Sequence, residues 1–150
     1  MGNNAENKIL IVDDIPSNLT VLLDCLSEEG YNIHVAEDGE TAIEKVQKEL
    51  PDLVIMDIMM PGIDGFDACQ KIKDDPETRD IPVIFMSSLS DTIDKVKGFE
   101  VGGVDYITKP FEHKEVIARV NTHLTLKNLR TELTRTNEEL EKRVQERTAD

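Results

Sequence analysis

Four short runs made mostly of aliphatic and β-branched residues, Lys8–Val12, Asp52–Met56, Pro82–Met86 and Val104–Thr108, each stop at a polar or charged residue: Asp13-Asp14, Asp57, Ser87 and Lys109. Runs of this length bounded by turn residues read as β-strands. Without polar alternation they read as strands buried on both faces, as parallel sheets require. The carboxyl ends of parallel strands share one edge, and open α/β sheets bind their ligands there. The pattern thus collects three carboxylates, a hydroxyl and an ammonium at one edge, a layout suited to handling phosphate.

The segments between the runs read as helices. Pro16 suits a first helical turn, Leu19, Leu22, Leu23 and Leu26 recur on one face, and Gly30 closes that helix. Tyr31–Ala36 reads as a shorter strand, Glu40–Leu50 as a helix, Met60–Gly65 as a loop, and Phe66–Lys73 and Thr92–Val101 as further helices. Strand and helix alternate five times, which predicts a doubly wound α/β fold: a five-stranded parallel sheet with helices on both faces. The 150 residues suffice for one domain with its own core.

The last segment differs in pattern and in charge. From about Glu112 the sequence stays helical, with no Gly or Pro after Pro110, and Leu126, Leu129, Leu133, Leu140 and Val144 mark a seam. That spacing predicts a parallel coiled-coil homodimer, with Asn137 at a core position and one stutter to keep a single seam. A solvated single helix is the alternative. Residues 1–123 carry 11 Lys and Arg against 25 Asp and Glu, whereas residues 124–150 carry six of each. The expected division is a globular domain over 1–123 and a helical linker over 124–150, leading toward an output domain. A surface this acidic repels nucleic acid and anionic membrane. No apolar stretch nears the roughly 18 residues of a membrane span, and Met1–Glu6 has no signal pattern, so the expected location is the cytoplasm. Cys25 and Cys69 lack metal-ligand spacing and read as buried free thiols; His34, His113 and His123 show no nucleophile-base pairing.

Asp13, Asp14 and Asp57 together form a hard, oxygen-rich donor set of the kind Mg²⁺ prefers, and without a cation they would repel one another. A carboxylate that attacks a phosphoryl group becomes an acyl phosphate, whose added charge needs support. Lys109 offers a point charge and Ser87 a hydroxyl donor. Taken singly, Asp13-Asp14 could instead cap a helix, Asp57 end a strand and Lys109 face solvent.

Four stretches, Ile9–Asp14, Leu53–Gly65, Ile81–Ser87 and Asp105–Phe111, resemble the receiver domain of bacterial two-component response regulators in order and spacing. The resemblance covers essentially residues 8–123 and implies a flavodoxin-like fold. It implies that Asp57 accepts a phosphoryl group from a sensor histidine kinase or phosphotransfer protein. It further implies that Asp13, Asp14, Asp57 and the Met59 backbone carbonyl hold Mg²⁺. Lys109 and Ser87 then assist the transfer, and Ser87 and Tyr106 take the two switch positions. Such a chain catalyses only its own phosphorylation and dephosphorylation. Ser88 stands where the family usually has Ala or Gly, and the expectation from that departure is a modestly changed rate of dephosphorylation.

Rival readings lack their residues. Asp57 is followed by Ile58-Met59-Met60, not by the Asp-x-Asp-x-Thr of haloacid-dehalogenase-like phosphatases, and neither a Gly-x-Gly-x-x-Gly turn nor a P-loop is present. What remains is a structural dimerisation module with a vestigial acidic pocket.

Overall fold

The computed structural model describes residues 6–88 and 95–148. Five strands and five helices alternate: β1 (Lys8–Val12), α1 (Pro16–Ser27), β2 (Asn32–Ala36), α2 (Gly39–Glu49), β3 (Leu53–Asp57), α3 (Gly65–Asp74), β4 (Val83–Ser88), α4 (Lys95–Glu100), β5 (Asp105–Lys109) and α5 (His113–Thr148). Every strand pair is parallel, in the order β2-β1-β3-β4-β5. The chain steps outward from β1 to β2, then crosses back to β3. This reversal opens a crevice at the carboxyl ends of β1 and β3, the place where such sheets bind ligands.

Alternate residues of the same strands feed two cores, because side chains point to opposite faces in turn. Leu10, Val12, Val54, Met56 and Phe85 pack with Phe66, Ala68 and Ile72 of α3 and with Ala42 and Val46 of α2. Ile9, Ile11, Ile55, Ile84, Met86 and Ile107 pack on the other side with Leu22 and Leu26 of α1 and with Val116, Val120 and Leu124 of α5. Helix starts are fixed locally. The Thr41 N–H donates to Asp38 Oδ1 at 2.7 Å and the Asp67 N–H to Asp64 Oδ1 at 2.9 Å, satisfying donors that a first turn leaves free.

The expected elements are all present, with shifted ends. β3, β4 and β5 each run past their apolar residues to take in Asp57, Ser87-Ser88 and Lys109. The three groups therefore stand on the rigid last residues of strands rather than beyond them. Backbone pairing explains the extension: Asp57 is in register with Met86, Ser87 with Thr108 and Ser88 with Lys109. The Ser88 side chain, the expected beginning of α4 at Thr92–Asp94, Met1–Ala5 and Ala149-Asp150 lie outside the described residues. α5 is one unbroken helix across residues 123 and 124, and every residue described from Asn128 to Val144 is exposed.

Gly65 brings the loop after β3 back onto the strand end. Its N–H donates to Ile58 O at 2.9 Å, and a Cβ there would collide with Asp57 O and sit 2.9 Å from Ile58 Cα, both backbone atoms. Backbone cannot yield as a side-chain tip can, so Gly65→Ala is expected to destabilise the fold by about 2 kcal/mol. Urea unfolding of the two proteins measures the difference.

Candidate functional site

Asp13 is completely buried at the end of β1. Its Oδ1 accepts the Ile15 N–H at 2.9 Å and its Oδ2 accepts Asn18 Nδ2 at 3.1 Å, so both oxygens are aimed by the first turn of α1. Lys109 Nζ, from the end of β5, lies 3.3 Å from Asp13 Oδ2 and 3.2 Å from Asp57 Oδ1. One carboxylate oxygen from each of Asp13, Asp14 and Asp57 falls within a cluster no wider than 4.8 Å. The fold thus brings four of the expected residues into one group.

Among the described residues these three carboxylates meet one ammonium, and the imbalance is visible in Asp57. Burial first, then the charge of Asp13, raise its carboxyl from 3.8 to about 6, while Lys109 opposes the shift. Asp14 Oδ1 is buried and has no hydrogen-bond partner among the described residues. A buried acceptor without a donor is costly. Together these features fit a divalent cation with hard oxygen ligands.

The other expected residues lie on β4, on β5 and in the loop after β3. Ser87 is buried, one residue beyond the Met86 that pairs with Asp57. Met59 lies in the loop after β3 with its side chain 67% exposed. Tyr106 is buried, its ring 5.8 Å from that of Phe85 and 5.5 Å, edge-on, from that of Phe99 on α4. The Lys109–Pro110 peptide is cis.

Some participants are not legible in the sequence. Asn18 reads as an ordinary helix-start residue, and only the fold turns its amide onto Asp13. Asp105 reads as a polar interruption in a strand, yet its carboxylate accepts the Tyr106 N–H at 2.8 Å, Arg119 Nη1 at 2.6 Å and a 2.9 Å contact with His123 Nε2. Burial works to raise the Asp105 carboxyl, but those hydrogen bonds outweigh it and hold it below its ordinary range. Cys25 and Cys69 are both buried free thiols, and burial pushes Cys69 up to about 11, far from a reactive thiolate at neutral pH. The histidines lie beside carboxylates: His34 by Glu49, His113 by Glu28 and His123 by Asp105.

Residues 9–121 match the family described as the response regulator receiver domain. The chain is 44% identical over 115 residues to the response regulator PleD of Caulobacter vibrioides, covering 77% of this chain and 25% of that protein. It is 43% identical over 123 residues to the probable transcriptional regulator ycf27 of Guillardia theta, covering 82% of this chain and 47% of that one. The chain therefore spans between a quarter and a half of these relatives. A putative response regulator from Chloroflexus aurantiacus superposes with a TM-score of 0.77 at 37% identity, over 79% of this chain and 98% of that one. The receiver domain of the sensor histidine kinase PA1611 from Pseudomonas aeruginosa superposes with a TM-score of 0.74 at 28% identity, over 79% of this chain and 98% of that one. In that structure a magnesium ion is coordinated in the active-site cleft.

The raised Asp57 carboxyl has a consequence for stability. Its folded value exceeds its unfolded one, so the folded state holds the proton more tightly and stability falls as pH rises from about 4 through 6. In metal-free buffer Asp57→Asn is expected to be more stable than the wild type above pH 7, by up to about 3 kcal/mol, and equal to it near pH 4. Denaturant unfolding across that range, with EDTA present, checks both arms.

Proposed function

Because the chain belongs to the response-regulator receiver family, we propose that Asp57 is its phosphoryl acceptor and that a sensor histidine kinase or phosphotransfer protein is the donor. The observation that carries this reading is the contact of one ammonium, Lys109 Nζ, with both Asp13 and Asp57 at the mouth of the sheet crevice. An Asp57 oxygen attacks the phosphorus of the donor's phosphohistidine. A P–O bond forms, the P–N bond breaks, and the imidazole leaves with the bonding electrons and takes up a proton. Lys109 serves to neutralise charge on the phosphoryl oxygens, and Ser87 to donate a hydrogen bond to them. A Mg²⁺ ion held by Asp13, Asp14, Asp57 and the Met59 carbonyl would supply further charge stabilisation to the group in transfer. Water later attacks the phosphorus, the P–O bond to Asp57 breaks, inorganic phosphate leaves and the carboxylate is restored. The chain has no other substrate in this reading.

The new dianion changes what Lys109 and Ser87 contact, and that difference biases the packing of Tyr106 against α4. Asp105, bonded to the Tyr106 backbone and to Arg119 and His123 of α5, ties the same strand to the long helix. Beyond Leu126, which lines a groove against the globular part, the helix carries an exposed apolar seam from Leu129 to Val144 that is best covered by a second copy, in a parallel coiled coil. Phosphorylation would then be read as a shift in helix packing across a cytoplasmic dimer, without contact to nucleic acid or membrane by this chain.

Incubation with acetyl phosphate followed by intact-mass analysis tests the chemistry. A single phosphoryl adduct that requires both Mg²⁺ and Asp57 is expected, and Asp57→Asn should show none. A folded wild-type protein with no adduct under any condition would leave the structural dimerisation module as the better account. For the helix, sedimentation should give a dimer that Leu133→Glu together with Leu140→Glu converts to monomer; a wild-type monomer at about 100 μM would exclude the coiled coil.

A further inference from the structure

At the opposite end of the sheet from Asp57, a groove of about 410 Å³ lies between the turn that joins α3 to β4 and the middle of α5. Its charge contrasts with the rest of the globular part. Lys73 and Arg79 come from one side, Lys127 and Arg130 from α5, and Asp80 is the one acid among the described lining residues. Pro82, Val104 and Leu126 supply an apolar floor, with Val104 and Leu126 exposed. A second hollow shares Asp80, Lys127 and Arg130 and continues along α5 past Arg135.

The cations here differ in whether they are already neutralised. Lys127 Nζ is paired with Asp52 Oδ1 at 2.7 Å. Arg79 and Arg130 have no carboxylate partner among the described residues, and Lys73 Nζ donates only to the carbonyls of Arg79 at 2.8 Å and Ile81 at 2.6 Å. Lys73 is half-buried; burial first, and the Arg130 guanidinium in addition, disfavour its charged form, with Cys69 and Asp80 opposing. Its stem lies across Gly102, whose φ is +105° and where a Cβ would come within 2.8 Å of Lys73 Cγ. Gly102 thus leaves room for the stem, while the Arg79 and Ile81 carbonyls hold the ammonium. Arg79 and Arg130 are exposed and solvated, but like charges gathered at one groove repel, and an anion that fills it relieves that repulsion.

We propose that this groove is a binding site for a small organic phosphate of nucleotide size, with its phosphates on Arg79 and Arg130 and its body on Pro82, Val104 and Leu126. Guanidinium groups match phosphate with paired hydrogen bonds, which favours phosphate over a lone carboxylate. The volume lies within the range of small-molecule sites, and the apolar floor gives a ring or alkyl body a place that inorganic phosphate would leave wet. A ligand there touches both the globular part and α5, so it restrains the angle at which the helix leaves the domain. The site does not depend on the phosphoryl chemistry at Asp57, and its test can fail without affecting that reading.

Titration calorimetry with ADP, GDP and pyrophosphate, in EDTA so that no cation bridges a phosphate to the acidic cluster, tests the site. At least one nucleotide should bind at a single site with a Kd near 0.1 mM, about tenfold tighter than pyrophosphate. Arg79→Ala with Arg130→Ala should weaken it at least about tenfold, whereas Lys142→Ala with Arg143→Ala, which removes the same charge from the exposed tail, should leave it unchanged. Circular dichroism confirms that both variants fold. Three results would each overturn the proposal: no saturable nucleotide binding up to about 5 mM, pyrophosphate as tight as the nucleotides, or equal weakening by the two double variants.

Discussion

Lys109 Nζ touches a carboxylate from β1 and another from β3, 3.3 Å and 3.2 Å away, and the edge of the sheet is organised by that shared ammonium. Asp13 and Asp57 are both almost fully buried, and two such carboxylates side by side would repel each other strongly in a poorly polar setting. The single cation relieves part of the repulsion, and Asp57 remains raised to about 6 because burial and Asp13 outweigh it. The sheet therefore stores an electrostatic deficit at this edge, of a kind that a bound cation relieves. Stability is given up locally to keep these carboxylates together.

The rest of the fold holds this deficit in position. Asp13, Asp57 and Lys109 each stand at a strand end, and the register of β1, β3, β4 and β5 leaves them little freedom to drift apart. Gly65 folds the loop after β3 against the same strand end, and Asn18 fixes one oxygen of Asp13. Toward the other end of β5, Asp105 joins the backbone of Tyr106 to Arg119 and His123, and Lys127 is paired with Asp52 ahead of β3. The helix that leaves the domain is consequently anchored to β5 by polar contacts as well as by Val116, Val120 and Leu124 in the core.

Much of this is legible because two levels of pattern agree. The apolar runs identify buried parallel strands, and the residues that interrupt them fall at one edge in any right-handed βα arrangement. What escapes a reading by pattern is polar and partner-dependent. Asn18 and Asp105 look ordinary in sequence because their roles exist only once α1 and α5 are docked. Strand ends read from hydrophobicity fall one or two residues short for a related reason. Hydrophobicity marks where burial stops, whereas backbone pairing continues through Asp57, Ser87 and Lys109.

By itself the sequence determined the alternation of five strands and helices, the acidic pair and the lone Asp57 at strand ends, and a C-terminal helix without a breaker. These are local matters of periodicity, turn chemistry and residue type. Only the tertiary structure decided that Lys109 would reach two carboxylates at once, that the Asp14 Oδ1 would be left without a donor among the described residues, and that Arg79 and Arg130 would line one groove from segments some fifty residues apart. Distances and burial between segments remote in sequence follow from strand order and helix docking, and those follow from how the whole chain shares two cores.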